Sequence, residues 1–166
     1  MELFNKSKLN ENYLGLRQQV LNLKPSDIGV TLDNEQQVYA AVVDMPINRN
    51  IASLICMFDG TVSLYYSNGD GMIGLGQKFD EVKQAGGSFL FSAGQALSKF
   101  DKVNQFPLPD GNKTNVYLLT MNFIYKASFD MSKVDSSSSR EISFINFLIQ
   151  NVINKIRECS DTTKQS

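Results

Sequence analysis

The sequence predicts an α+β domain: an antiparallel sheet of about five strands with three helices packed on it, in the order α-β-β-β-α-β-β-α. Three observations lead there. Apolar residues recur at helical spacing over 9–23, 79–100 and 141–158. Between them lie short β-rich runs joined by turn signals at Asp59-Gly60 and Met121-Asn122. At 166 residues, with no internal repeat and no long linker, one domain over 1–159 accounts for the chain, and the polar stretch 160–166 reads as a disordered tail.

Taken in order, the first helix carries a stripe of Leu9, Tyr13, Leu16, Val20 and Leu23, with Leu14 and Leu21 on a second stripe. Pro25 stops it, because the residue before a proline avoids the α region. Residues 26–37 form a polar connector. The strand 38–45 ends at Pro46, and 51–58 reads as a continuous apolar run broken only by the small Ser53, the pattern of a strand covered on both faces. Asp59-Gly60 signals a two-residue hairpin. The strand 61–67 then alternates, with Val62, Leu64 and Tyr66 on one side and Tyr65 on the other. The helix 79–100 buries Val82, Ala85, Phe89, Leu90, Ala93, Ala96, Leu97 and Phe100. Gly86 lies on that same face, where a missing side chain lets the backbone approach the sheet. Strands at 115–120 and 123–130 follow. Ser138 with Glu141 three residues on reads as a capping box for the last helix, whose stripe runs from Ile142 to Ile156.

Composition narrows the function classes. A formal net charge of −1 with scattered Lys and Arg lacks the electrostatic footprint of a nucleic-acid binder. No apolar run is long enough for a membrane span, and the first residues show no secretion signal. Two cysteines make no disulfide framework: Cys56 reads as a buried hydrophobe, Cys159 as an exposed thiol, and the compartment as a reducing cytoplasm. The chain has no histidine, which excludes Ser-His-Asp and Cys-His catalysis and His-ligated zinc. We therefore expect a protein that is not an enzyme and uses no metal or cofactor.

Two places stand out as candidate sites. The first is the loop Asn68, Gly69, Asp70, Gly71, Gly74, Gly76, which contains a nominal GxGxxG. It does not fit a dinucleotide fingerprint, since the strand before it is antiparallel and no acid stands about 20 residues on. It lacks the Lys-Ser/Thr of a Walker loop and the carboxylate order of a calcium loop. What survives is a small-ligand or anion nest of backbone N–H groups, opposed by Asp70, Asp80 and Glu81. The second is a set of apolar residues off the expected core faces: Leu14, Leu21, Phe91, Phe144 and Phe147. Together they suggest a homodimer or protein-partner surface. An interaction or self-associating module is the leading expectation, and a ligand domain built on the glycine loop is the alternative.

The run Ser63-Leu-Tyr-Tyr-Ser-Asn-Gly-Asp-Gly-Met-Ile-Gly-Leu-Gly76, with Asp59-Gly60-Thr61 before it, resembles the signature of a bacterial family of small uncharacterised single-domain proteins (DGT-SLYFSNGGG-IG-G). That resemblance implies one domain and brings no activity with it. The order of elements is similar to that of profilin-like and roadblock-like domains, which implies a meandering sheet with helices against it.

Overall fold

The structure is a computed structural model and describes residues 9–164. Its α+β class and antiparallel sheet are as expected. The described residues hold seven strands and four helices, more than the sequence pattern shows. Helix α1 (Glu11–Leu21) leads into β1 (Ala40–Ile47), β2 (Asn50–Met57), β3 (Val62–Tyr66) and β4 (Gly71–Met72). Then come α2 (Leu75–Lys78), α3 (Asp80–Ala93), β5 (Asp101–Val103), β6 (Thr114–Leu119), β7 (Ile124–Phe129) and α4 (Arg140–Lys164). The sheet order is β4-β3-β2-β1-β6-β7-β5, antiparallel at every pairing.

The unexpected strands are the two edges, β4 and β5, of two and three residues. Several boundaries also move for local reasons. Asn10 caps α1, its side-chain oxygen accepting from the N–H groups of Asn12 and Tyr13. Pro46 stays within β1, opposite Ile51. The β2–β3 loop has three residues rather than two, because Met57 N–H reaches Thr61 O across Phe58-Asp59-Gly60, and Gly60 takes a φ of 96°. The α4 cap is Ser139, whose hydroxyl accepts from Ile142 N–H, while the Ser138 hydroxyl accepts from Asp135 N–H. The helix runs on to Lys164, so most of the segment expected to be a disordered tail is helical, with 165 and 166 outside the described residues.

Both faces of the sheet are buried. One packs on α3 and α4 through Ala41, Val43, Leu54, Cys56, Val62, Val116 and Leu118. The other packs on α1 and the flanking loops through Ala40, Val42, Ile55, Tyr117 and Leu119. A Cβ atom on Gly86 would stand 2.7 Å from Val62 Cγ2, which is the close approach of α3 to β3 expected from the sequence. The start of α3 lies by the β2–β3 hairpin, where Lys83 covers Gly60, and Gly94 just past its end abuts the carbonyl of Gln36 ahead of β1. These two points are at the same end of the strands, so α3 crosses the sheet near that end. Glu81 acts electrostatically on Lys155 and Cys159, which sets α4 antiparallel beside α3. The opposite end of the sheet, around Met45 and Tyr66, lies beside α4 and the turn after β7.

Candidate functional site

At that opposite end lies a cleft of about 740 Å³. Its floor carries Met45 of β1 and Tyr66 of β3, each a direct cross-strand partner of the buried Ala52 on β2. Leu64 and Met72 continue the floor toward the β4 edge. The far wall is the turn after β7, with Met131, and the roof is the α4 stripe Gln150, Ile153, Ile156 and Arg157. Three methionines in one lining give a surface that can adapt to a ligand's shape. A cleft of this size with an apolar floor and a polar rim has the form of a small-molecule site.

Four charged side chains stand on the rim: Lys133, Arg157, Asp130 and Asp161. The Asp130 carboxylate is already engaged, accepting from the Ser132 N–H at 3.0 Å and the Ser132 hydroxyl at 2.6 Å. Those two bonds, helped by Lys133, hold its carboxyl below the ordinary range. The ion pairs among the described residues are Arg17–Asp44 and Lys155–Glu158, so neither Arg157 nor Lys133 has a carboxylate within pairing distance. One turn before Gln150 on the same α4 stripe, Asn146 holds a buried side-chain oxygen that has no hydrogen-bond partner among the described residues.

In the glycine loop, several backbone N–H groups are engaged within the protein itself. The N–H of Gly69 donates to Tyr66 O, that of Asp70 to the Asn68 side chain, and that of Gly74 to Ser63 Oγ. Gly69, at φ 98°, receives the capping side chain of Asn10, and so docks the start of α1. A Cβ on Gly76 would collide with Gly60 O, and one on Gly71 would lie 3.0 Å from Leu64 O. These glycines permit close backbone packing. Of the loop's side chains, it is Met72 that lines the cleft.

The apolar set expected to form one interface is divided. Leu21 is 2% exposed and sits in the core beneath α1. Leu14 is exposed on α1, on the opposite side of the sheet from α3 and α4. Phe144 is half-buried against the core. Phe91 and Phe147 are 81% and 67% exposed. They stand on α3 and α4, which pack against each other.

Beneath α1, on the other face, is a polar cluster that the sequence pattern does not single out. Asp44 of β1 accepts from Arg17 Nη2 at 2.8 Å, from Arg17 Nε at 3.1 Å and from Ser53 Oγ at 2.5 Å. Tyr13 OH meets Ser53 Oγ at 2.7 Å. Arg17 Nη2 also donates to Phe106 O, and Pro107 O accepts from Tyr117 OH and Asn115 Nδ2. The cluster thus ties α1, three strands and the loop before β6 together. Burial disfavours the Arg17 cation, but the field and hydrogen bonds of Asp44 outweigh it and hold its pKa above the ordinary value. Burial pushes Tyr117 up to about 12 and raises Tyr13 as well. Ser53 and Asp44 are closed to solvent and bonded within the cluster, the arrangement of a structural cross-tie. The signal for it was a lone carboxylate inside the apolar run 38–45.

Among the described residues, no helix is long and apolar enough to cross a membrane, and no group of three His, Cys, Asp or Glu residues is placed to hold a metal ion. Comparison of the chain with family models, curated proteins and solved structures gives no match.

Proposed function

We propose that this protein is a cytoplasmic, non-enzymatic binding domain of profilin-like or roadblock-like organisation that takes a small ligand in the cleft between β1, β3 and α4. The observation that supports the reading is the apolar lining of Met45, Leu64, Tyr66 and Met72, in a cleft of about 740 Å³ closed on another side by α4. It keeps the ligand-binding alternative raised by the glycine loop but moves the site from the loop's backbone to the cleft beside it. An amphiphilic fluorescent dye such as anilinonaphthalene sulfonate tests it. The folded protein should bind the dye saturably. Met72→Trp, which fills the mouth from an edge strand, should weaken that binding about tenfold or more without lowering Tm, a loss of about 1.4 kcal/mol. Absence of saturable binding, or binding indifferent to Met72→Trp, refutes the reading.

A second reading rests on Phe91 and Phe147. Two aromatic side chains this exposed, on helices that pack side by side, favour self-association through α3 and α4. Light scattering on the wild type and on Phe91→Ser/Phe147→Ser should give a dimer and a folded monomer respectively. A monomeric wild type refutes it.

A further inference from the structure

The chain ahead of α1 joins the fold at the same sheet end as the cleft. We infer that residues 1–8 seat their apolar part, Met1, Leu3 and Phe4, in the cleft and compete there with the ligand. The competition rests on the cleft being the binding site; the seating of the segment does not.

The anchor of the segment is fixed by hydrogen bonds. Asn10 N–H donates to Ser67 O at 2.9 Å, and the Asn10 side chain packs over Gly69. Ser67 is tied in turn to the start of β2: its N–H donates to Ile51 O, and its hydroxyl accepts from Ile51 N–H. Both neighbours of this junction line the cleft. Tyr66 precedes Ser67 in the chain, and Pro46 is the cross-strand partner of Ile51. Helix α1 packs on the other face of the sheet, so the segment has to round the end of β3, which is where Asn10 is held. From Asn10 back to Phe4 is a span of six residues, enough to reach about 20 Å. A lining that begins one residue from the anchor is well within that reach.

The segment's composition divides as such a contact requires. Met1, Leu3 and Phe4 are apolar, while Asn5, Lys6, Ser7 and Lys8 are polar and form the spacer next to the anchor. The cleft offers Met45, Leu64, Tyr66, Met72 and Ile153, and Ile47 on its lining is 42% exposed. Thioether side chains conform to a leucine, a phenylalanine ring or a ligand of another outline. The rim holds two cations and two carboxylates and sets no preference of sign, so proximity and apolar contact carry the inference. Proximity makes even a weak contact effective. A short tether supplies an effective concentration on the order of 1 mM. A contact with an intrinsic Kd of about 0.1 mM then fills the cleft about nine-tenths of the time and weakens a competing ligand about tenfold.

Two measurements on the full chain test it. The sequence has no tryptophan, so Phe4→Trp places a single reporter in the segment. Its emission should be blue-shifted and its acrylamide quenching about threefold or more slower than that of N-acetyltryptophanamide. Adding Met72→Glu, which puts a charge on the lining from an edge strand, should return both to the values of the free amide. Tenfold dilution of Phe4→Trp should change neither. The second measurement titrates anilinonaphthalene sulfonate into the wild type and into Leu3→Ser/Phe4→Ser, with circular dichroism confirming that the variant is folded. The variant should bind the dye about threefold to tenfold more tightly. A tryptophan quenched as freely as the reference amide overturns the seating, as does one that stays shielded with Met72→Glu. Shielding lost on dilution overturns a contact within one chain. Dye affinity unchanged or weaker in Leu3→Ser/Phe4→Ser overturns the competition. If neither protein binds the dye saturably, the ligand reading falls and the competition with it, while the tryptophan still decides where the segment sits.

Discussion

Arg17 and Asp44 face each other across 2.8 Å in a site closed to water, and that placement makes them sensitive as individuals and tolerant as a pair. A buried ion pair recovers its desolvation cost through hydrogen bonds, and losing one partner strands the other. Arg17→Met or Asp44→Asn should each lower stability by about 3–5 kcal/mol in urea unfolding, and the double replacement Arg17→Met/Asp44→Leu should cost less than the sum of the singles. The neighbouring tyrosines set an alkaline limit. Their folded pKa values lie above the ordinary 10, with Tyr117 at about 12, so the fold holds a phenolic proton that the unfolded chain releases first. Stability from this source is whole below pH 10 and drains away as pH climbs toward 12. Tm should therefore fall above pH 10, and Tyr117→Phe should fall less steeply over the same range. Individual residues were the least legible part of this sequence. Asp44 and Arg17 each interrupt an otherwise ordinary pattern, and only the fold shows that they interrupt it at the same place.

Among the elements, those with a long periodic pattern could be read directly. The buried stripe of α3, including the glycine that lets it approach β3, is the stripe its spacing predicts, and β2, apolar but for Asn50 and Ser53, is covered on both sides. The edges β4 and β5 and the four-residue α2 are too short to carry any period, and only their neighbours define them. In the serine run before α4, adjacent hydroxyls are chemically equivalent, so the cap could not be placed to the residue. Glycines were legible as packing devices but not individually ranked, and the structure now ranks them. Gly76→Ala would drive a methyl group into Gly60 O and should cost about 2–3 kcal/mol by thermal or urea unfolding. Gly87→Ala, in the same helix as Gly86 but with nothing within 4 Å, should stabilise by up to about 1 kcal/mol. A neutral or stabilising Gly76→Ala would mean that α2 does not dock on the β2–β3 hairpin as described.

At the scale of the molecule, the two thiols give separate reports. Cys56 lies fully buried between β2 and α3, and burial pushes its thiol up to about 12. Cys159 is half-buried near the end of α4, where burial and then Glu81 raise its pKa. A thiol reagent at pH 8 should modify Cys159 in the native protein and reach Cys56 only as fast as the whole domain opens, with both reacting at once in denaturant. Fast modification of Cys56 would show that α3 lifts from the sheet locally. The domain's class and single core were legible because they follow from the alternation of stripes and strands. The cleft was not, because it arises from where α4 crosses the sheet, and helix placement is not written in local pattern. Met72 was its one visible trace, an apolar side chain that shares the glycine-rich loop with Ile73 and Leu75.

The polar cluster beneath α1 has one more consequence. Ser53, Asp44, Asn115 and Ser128 lie side by side on β2, β1, β6 and β7, each the direct cross-strand partner of the next. In a strand, a slip of one residue turns every side chain to the opposite face. For β1 that would press a carboxylate into the aliphatic layer under α3 and α4, leaving Arg17 stranded on the other side. The four central strands therefore carry a lock-and-notch in their sequence: among the many ways in which runs of valine, isoleucine and leucine can lie together, misaligned pairings are penalised and one alignment is accepted.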